Sequence, residues 1–334
     1  MDIKITGAGK TDIGHVRSVN EDCLRIDDEH SLFIVCDGMG GHQAGEVASR
    51  EACEVICHCF STLAEEIAGD STLAIPAAFP TLGDLLVKGI RIANRSIYIK
   101  SRSRSDYSGM GTTVVAAALQ DDLINIAHVG DSRAYLMTAD RLVPLTTDHS
   151  WISELEQSGQ YSKEEAAQLV NKNVITRALG IHETVEIDYR ARRIAAGDIY
   201  IMCTDGLCGY VDDGDIFSVA GECGGDVNVI VDNLIQLAND RGGTDNVTVL
   251  ALRIDRAEGG PESPVIDPVT VSKEGDEALL RENQIVESFT RLREQTQKIG
   301  TIPEPKMKSH MPAVIFVIIT IVIIALLAYY IFLK

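Results

Sequence analysis

Five short segments of the sequence carry carboxylates beside apolar runs that predict strands. They are Asn20-Glu21-Asp22, Asp37-Gly38, Gly130-Asp131-Ser132-Arg133, Thr204-Asp205-Gly206 and Thr244-Asp245-Asn246. Asp37 and Asp205 each follow an apolar run and precede a glycine, which permits a tight turn and a close approach of the backbone to an ion. Carboxylates gathered at strand ends repel one another unless a cation neutralises them, and oxygen ligands select hard cations such as Mg²⁺ or Mn²⁺. One Asp-Gly pair is typical of a turn, but five such segments together predict a site for divalent cations.

The elements that must position these segments are predicted from hydrophobic periodicity. Apolar runs predict strands at 32–36, 112–119, 123–129, 133–137, 185–192, 199–203 and 246–253. Several of these runs are separated by only a few turn-like residues, which favours antiparallel hairpins over parallel crossovers. Helical patterns lie at about 44–67, 82–100, 151–158, 163–170 and 227–238. The sequence therefore predicts layered sheets with helices on the outside.

Charge and cysteine content exclude some classes of protein. The 334-residue chain carries 30 Lys or Arg against 49 Asp or Glu, a formal net charge of −19, and no block rich in Lys or Arg. A protein that binds nucleic acid needs a basic surface, so we expect no nucleic-acid partner. The eight cysteines include no CxxC pair, which favours reduced thiols in a reducing compartment over a disulfide framework.

The C-terminal quarter predicts a different organisation. An apolar stretch at 313–333 is long enough to span a bilayer, which predicts a transmembrane helix at 312–333 in contact with membrane lipid. Lys306, Lys308 and His310 precede it, so the rest of the chain is expected on the cytoplasmic side, with a single-pass C-terminal anchor. Residues 257–311 predict a linker with an amphipathic helix at about 277–298. A stalk, a short coiled coil and a flap packed on the main domain are all compatible with that helix.

The order and spacing of several strings resemble a known family. The strings are TDIGHVRSVNED, FIVCDGMGGHQAGEVAS, MGTT, AHVGDSRAYL, TTDHS, ITRALG, DIYIMCTDGL and GTDNVTVL. From about residue 11 to residue 254 the chain resembles the metal-dependent protein phosphatases of the protein phosphatase 2C type, in their bacterial serine/threonine form. The resemblance implies an α+β fold, a four-layer α-β-β-α sandwich of two antiparallel sheets flanked by helices, and a catalytic domain over residues 1–256.

The resemblance also implies the ligands of a metal cluster. By position they are Glu21, Asp37, Gly38, Asp131, Asp205 and Asp245. Asp37 would bridge two Mn²⁺ or Mg²⁺ ions, and the Gly38 carbonyl and Glu21 would serve one of them. Asp205 and Asp245 would hold the other ion. Asp131, together with Asp205, corresponds to a third and weaker metal site.

Three further residues take supporting roles in the resemblance. Arg17 corresponds to the arginine that binds the substrate phosphate, Asp22 to a carboxylate that supports metal-bound water, and Asn246 shapes the turn that presents Asp245. Arg17 and Asp37 are thus the expected catalytic residues. The group that protonates the leaving oxygen stays open between His42 and water, because Met39 follows Asp37-Gly38 where some relatives have histidine.

The implied reaction is hydrolysis of phosphoserine and phosphothreonine in proteins by metal-activated water. The expected partners are phosphorylated proteins and a serine/threonine protein kinase that opposes the reaction. A flap that helps to choose substrates is expected at 161–173. Two alternatives stay open, a pseudophosphatase scaffold that binds phosphoproteins without turnover and a metal-dependent hydrolase of small phosphate esters.

Overall fold

The computed structural model describes residues 3–41, 44–73, 79–162, 165, 169, 174–257, 265–273 and 275–300. The chain divides into two compact units, Met1–Glu287 and Ser288–Lys334. The described part of the second unit is the C-terminal portion of one helix. The predicted flap at 161–173 and the predicted helix at 163–170 lie mostly outside the described residues, and His42 lies outside them as well.

The described chain is built from short strands and helices. The strands are β1 (Ile3–Asp12), β2 (Asp22–Asp27), β3 (Leu32–Met39), β4 (Gly111–Thr112), β5 (Val114–Gln120), β6 (Leu123–Val129), β7 (Arg133–Met137), β8 (Leu142–Pro144), β9 (Ile187–Arg193), β10 (Ile199–Cys203), β11 (Val247–Ala257) and β12 (Ile266–Val271). The helices are α1 (Ala44–Ser61), α2 (Ala64–Ala68), α3 (Thr81–Ser103), α4 (Trp151–Gln157), α5 (Asp205–Cys208), α6 (Asp213–Glu222), α7 (Val227–Asp240) and α8 (Asp276–Gly300).

Two antiparallel sheets organise these elements. One sheet has the strand order β1-β11-β10-β7-β8, and the other has the order β12-β9-β6-β5-β3-β2, with β4 paired to the end of β3. The hairpin connections predicted from short turns are present, for example between β5 and β6, where Val114 lies opposite Val129. The strand pairs of both sheets are therefore antiparallel, as the turn spacing predicts.

Apolar side chains from both sheets form the core between them. Phe33 and Val115 of one sheet pack in the same cluster as Tyr200 and Leu250 of the other. Apolar residues of α6 and α7 cover the outer face of the five-stranded sheet, and α1 and α3 cover the outer face of the second sheet. This arrangement confirms the four-layer α-β-β-α sandwich.

Several strands, among them β1 and β12, lie outside the predicted apolar runs. β1 has the sequence IKITGAGKTD, whose glycines and polar residues weaken the hydrophobic signal, yet it pairs with β11 along its whole length. β12 lies after the predicted end of the catalytic domain and pairs with β9 at the edge of the second sheet. In both cases the neighbouring strand supplies the hydrogen bonds, which outweigh a weak local preference.

The structure does not support the predicted membrane location. Within the part of the chain that the structure describes, no helix is both long enough and apolar enough to cross a membrane. The predicted span at 312–333 lies outside the described residues. The structure therefore does not support the single-pass anchor, or the lipid contact and cytoplasm-facing orientation that depend on it. The function proposed for the chain does not include them.

Candidate active site

Two neighbouring strands place three of the expected ligands at one end of the second sheet. Asp22, at the start of β2, lies directly opposite Asp37 on β3. The Gly38 amide donates a hydrogen bond to the Glu21 carbonyl over 3.1 Å. The antiparallel register thus brings Asp22 and Asp37, which are 15 residues apart in sequence, to a single edge.

Glycine is required where the chain segments of this edge approach one another. A Cβ atom on Gly38 would lie 2.1 Å from the carbonyl oxygen of Gly45, and a Cβ on Gly45 would lie 2.4 Å from Glu21 Oε1. Both distances are far below van der Waals contact, so only glycine fits at either position. The first turn of α1 therefore packs directly against the end of β3 and against the Glu21 carboxylate.

Asp22 connects the two sheets through hydrogen bonds. Its Oδ2 atom accepts from the Thr204 hydroxyl over 2.9 Å and from the Thr248 hydroxyl over 2.7 Å. Thr204 precedes Asp205, and Thr248 lies near the start of β11, so both belong to the five-stranded side of the molecule. Burial raises the pKa of Asp22 to about 7 in spite of these hydrogen bonds.

Asn246 holds the loop that precedes β2. Its side-chain amide donates to the carbonyls of Ile13 and Val19 over 3.0 and 3.1 Å, and its side-chain oxygen accepts from the Glu21 amide over 2.8 Å. The side chain is nearly fully buried, with 4% of its surface exposed. One amide group therefore fixes the backbone on both sides of Arg17.

We expect Asn246→Ala to lower both stability and activity. The substitution leaves three backbone groups without their partner, which costs about 1–3 kcal/mol for each group that water cannot reach. We expect a loss of about 3 kcal/mol in the free energy of unfolding, measured by urea titration, and a raised KM because Arg17 is no longer held. Asn228→Ala, on the exposed face of α7, serves as the control. An unchanged KM in Asn246→Ala would contradict this role for the side chain.

The carboxylates of the site are held at a high electrostatic cost. Burial, and then the charges of its acidic neighbours Asp22 and Asp205, raise the pKa of Asp37 well above its usual value. Burial and the charge of Asp205 raise the pKa of Asp131 to about 7. Burial also raises the pKa of Asp205 and the pKa of Glu21. Like charges buried together in this way call for a cation.

Two carboxylate oxygens in this group point to the same conclusion. Glu21 Oε1 and Asp205 Oδ1 are buried and accept no hydrogen bond from the residues that the structure describes. Such oxygens are costly unless they bind a donor or an ion. The donor set consists of oxygens alone, which suits Mg²⁺ or Mn²⁺ rather than a soft metal.

Arg17 supplies the positive charge beside these acids. One of its guanidinium nitrogens lies 2.8 Å from Asp245 Oδ2, and the charges of Glu21 and Asp37 also act on the guanidinium. The Arg17 side chain is 47% exposed, whereas that of Asp245 is 21% exposed. The guanidinium thus lies at the mouth of the site, where an incoming anion could reach it.

The loop that carries Asp131 is joined to Asp37 through hydroxyl groups. The Asp37 amide donates to the Thr113 hydroxyl over 3.0 Å, and that hydroxyl lies 2.7 Å from the hydroxyl of Ser132. The Gly130 amide donates to His149 Nδ1 over 3.1 Å. Side chains on two other loops therefore fix the position of Asp131 relative to Asp37.

His149 belongs to a second buried group, with His128 and Asp188. The two imidazole rings stack with centroids 4.7 Å apart, and His149 Nε2 lies 3.2 Å from Asp188 Oδ2. Burial, followed by the neighbouring His149, lowers the pKa of His128 to about 4, so that ring is neutral. The Arg177 guanidinium lies 3.3 Å from His149 Nε2 and 3.1 Å from Asp188, a position that disfavours a metal ion there. This group supports the Asp131 loop instead.

The structure brings together all the site residues expected from the sequence, apart from His42. Glu21, Asp22 and Asp37 share one sheet edge, while Asp205 and Asp245 approach it from the ends of β10 and β11. Residues that the sequence reasoning missed are the supporting threonines, Thr113, Thr204 and Thr248. Thr204 and Thr248 are near an aspartate in the chain and Thr113 is not, and only the three-dimensional structure shows which carboxylate or amide each of them contacts.

An α-β-β-α sandwich with a buried carboxylate cluster at one sheet edge defines a class of metal-dependent hydrolases, and comparison with known proteins specifies it further. The sequence profile of the family protein phosphatase 2C matches residues 13–226. The serine/threonine phosphatase stp of Listeria monocytogenes is 35% identical over 257 residues, which are 76% of this chain and 98% of that protein. The chain belongs to the protein phosphatase 2C family.

Solved structures agree with this assignment. The serine/threonine phosphatase PstP/Ppp of Mycobacterium tuberculosis superposes with a TM-score of 0.65 at 33% identity, covering 76% of this chain and 100% of that one. A structure of the catalytic domain of the phosphatase PstP in complex with two manganese ions gives a TM-score of 0.64 at 32% identity, covering 76% of this chain and 99% of that one.

Proposed function

We propose that this chain is a metal-dependent protein serine/threonine phosphatase that hydrolyses phosphoserine and phosphothreonine in proteins. The observation that carries the proposal is the buried group of oxygen ligands at the sheet edge, in which Glu21 Oε1 and Asp205 Oδ1 accept no hydrogen bond from the described residues. The family and its manganese-bound member support the same reaction. Two Mn²⁺ or Mg²⁺ ions are the cofactors in this proposal.

Each expected ligand has a place in the proposed site. By the family resemblance, the Asp37 carboxylate would serve both ions. Glu21 and the Gly38 carbonyl would hold one ion, and Asp205 with Asp245 would hold the other. When bound, the ions lower the pKa of water and neutralise the oxygens of the phosphoryl group.

Asp131 extends the ligand set toward a third ion. Its carboxylate interacts electrostatically with Asp205, and the Thr113–Ser132 hydroxyl pair holds its loop close to Asp37. Asp131 and Asp205 would hold a third and weaker ion, as the family resemblance implies. Asp22 acts without direct ligation, since both of its described hydrogen bonds come from threonine hydroxyls and hold the sheet edges together.

Arg17 binds the phosphate of the substrate in this proposal. Its guanidinium is half exposed at the mouth of the site and presents paired N–H donors that match phosphate oxygens. The Asp245 carboxylate orients the guanidinium through its ion pair with Arg17. Binding of the phosphate then compensates the charge of Arg17 and brings the phosphoryl group to the carboxylate cluster, whose charges act on the guanidinium.

Met39, which follows Asp37-Gly38, carries no exchangeable proton. The donor of the proton to the leaving oxygen stays open between water and His42, which lies outside the described residues. Phosphorylated proteins are the substrates, and a serine/threonine protein kinase that acts on the same proteins is the proposed counterpart. The flap at 161–173 stays a prediction about substrate choice.

Removal of divalent cations is the experiment that tests this function. The full-length chain with Mn²⁺ is expected to release phosphate from a phosphothreonine peptide, and excess chelator should reduce the rate to background. Added Mn²⁺ should restore the rate and raise the melting temperature, because ions that bind only the folded state stabilise it.

The alternatives give different results in the same assay. A pseudophosphatase scaffold would bind the phosphopeptide and Mn²⁺ without releasing phosphate. A hydrolase of small esters would cleave p-nitrophenyl phosphate but leave phosphopeptides intact. Phosphate release that continues in chelator would contradict the metal-dependent mechanism itself.

A further inference from the structure

A pocket outside the carboxylate site lies at the C-terminal end of α3. It has a volume of about 370 Å³ and is lined mainly by polar residues, among them Tyr98, Ser101, Arg102, Arg104 and Ser105. None of these side chains belongs to the proposed catalytic site. The pocket is open to solvent, because both arginines and Ser105 are exposed.

This part of the surface is basic in a strongly acidic protein. Residues 95–104, with the sequence RSIYIKSRSR, contain four basic residues and no acidic one, whereas the whole chain has a net charge of −19. Two of the four are neutralised within the fold, since Arg95 pairs with Glu183 over 2.6 Å and Lys100 pairs with Glu51 over 2.8 Å. The positive charge of Arg102 and Arg104 is left for the pocket.

Aromatic rings hold these two guanidinium groups in place. The Arg102 guanidinium lies 4.6 Å from the centroid of the Tyr98 ring, and that of Arg104 lies 5.0 Å from the centroid of the Tyr107 ring. Stacking of this kind fixes the plane of a guanidinium and leaves its N–H edges available.

The acidic neighbours of these arginines are few. Arg104 has a distant contact with Asp106 at 3.7 Å, with both side chains more than half exposed. For Arg102, the described residues contribute no ion pair. Two oriented guanidinium groups beside serine hydroxyls suit a carboxylate or phosphate ligand.

The pocket lies close to the proposed catalytic site along the chain and in space. The segment that follows Arg104 leads through Gly109, which also lines the pocket, into β4. β4 pairs with the end of β3, where Thr112 lies opposite Gly38 and its hydroxyl donates to the Asp37 carbonyl over 2.8 Å. Gly109 and Thr112 are three residues apart, which an extended chain spans in at most about 11 Å.

From this geometry we infer that the pocket binds an acidic side chain of the substrate polypeptide, about three to five residues from the phosphorylated residue. Three to five extended residues span about 10–17 Å, which is comparable to the bound of about 11 Å between Gly109 of the pocket and Thr112, whose hydroxyl donates to the Asp37 carbonyl. The inference rests on the proposed function and adds a preference to it, namely phosphoproteins with glutamate, aspartate or a second phosphate near the site of cleavage.

The test compares two phosphothreonine peptides on the full-length chain with Mn²⁺. One peptide carries glutamates three to five residues on either side of the phosphothreonine, and the other carries glutamines there. We expect the acidic peptide to have a kcat/KM about fivefold higher, through a lower KM, since two exposed ion pairs contribute that much together. The net charge of the chain acts in the opposite direction, so a preference for acid requires a local basic site.

The double variant Arg102→Gln/Arg104→Gln is expected to reduce that ratio to one or below. The ratio compares two substrates of one protein, so a general loss of folded enzyme does not change it. Lys4→Gln/Arg141→Gln, which removes two exposed charges on β1 and on the turn between β7 and β8, is the matched control and should keep the preference. A preference absent from the unmodified chain, or unchanged in Arg102→Gln/Arg104→Gln, would overturn the inference.

Failure of the proposed function gives a different pattern. In that case neither peptide is hydrolysed, and binding of the acidic peptide is measured by fluorescence anisotropy instead. Binding about fivefold weaker in Arg102→Gln/Arg104→Gln than in the control would support the pocket even so. Equal binding by the two variants would exclude it.

Discussion

Asp37→Asn should abolish phosphate release and, in the metal-free protein, raise the melting temperature. The activity falls because the Asp37 carboxylate is replaced by an amide. An amide offers no negative charge to share between two ions. A metal centre contributes several kcal/mol to stabilisation of the transition state, so we expect kcat/KM to fall at least about a hundredfold. Phosphate release from a phosphothreonine peptide in saturating Mn²⁺ measures this loss.

The gain in stability has the same electrostatic origin. Burial and the surrounding acids raise the pKa of Asp37 in the folded protein, so its ionised form costs free energy at neutral pH when no ion is present. Asparagine removes that cost and keeps the shape of the side chain. The gain should be full above the folded-state pKa and shrink as the pH falls toward about 4, the value of an unfolded aspartate.

A second aspartate on the same hairpin provides the control. Asp28 is exposed at the turn between β2 and β3, at the opposite end from Asp37, and Asp28→Asn changes the net charge by the same amount. We expect Asp28→Asn to leave both the activity and the melting temperature near those of the unmodified chain. A melting temperature of metal-free Asp37→Asn that falls below that of Asp28→Asn would show that the carboxylate stabilises the fold without metal, which contradicts the proposed site.

The parts of this site that sequence reasoning found share a physical cause. β3 and β10 are continuous apolar runs because both of their faces are buried, and Asp37 and Asp205 interrupt those runs where each strand ends. A carboxylate at such a boundary is conspicuous in the sequence. The family resemblance then gave each aspartate an expected role, and the structure places these residues at one edge.

Other parts depend on contacts between residues far apart in the chain. Thr248 lies 226 residues after Asp22, the carboxylate to which it donates a hydrogen bond, and its place within an apolar strand gives no sign of that contact. β1 could not be predicted from its own residues, since its pairing with β11 is what orders it. The pocket beside Arg102 and Arg104 depends on how α3 ends against the segment that leads into β4, which no periodicity reveals.

The sequence predicts a linker with an amphipathic helix over residues 257–311, and in the structure the described residues between 265 and 287 belong to the first compact unit. β12 extends the second sheet, with the Thr270 hydroxyl donating to Asp188 over 2.8 Å. The guanidinium of Arg91, itself buried, donates to the Ser272 carbonyl over 2.7 Å. In the N-terminal half of α8, Arg281 contacts Asp70 over 2.5 Å and also pairs with Glu66.

These contacts predict that a chain ending at residue 256 is much less stable than one ending at residue 287. Truncation at 256 removes the buried side chains of Val271, Ile285 and Val286, each of which contributes about 1.5–3 kcal/mol by burial. It also exposes Arg91 and the edge of β9. After allowance for the chain entropy that the shorter form does not lose, we expect a net cost of about 4 kcal/mol and a melting temperature lower by about 10 °C.

Thermal unfolding of the chains 1–256 and 1–287 in Mn²⁺ measures the difference, and a single substitution locates it. Arg281→Ala in the longer chain removes both ion pairs at the start of α8 and should cost about 1 kcal/mol, whereas Lys273→Ala, an exposed position between β12 and α8, should cost nothing measurable. Equal melting temperatures for 1–256 and 1–287 would mean that residues 257–287 contribute no measurable stability to the domain, as expected of a stalk. A large difference would make residues up to 287 part of the catalytic domain, because Arg91 on α3 and Asp188 on β9 each form a hydrogen bond with this segment.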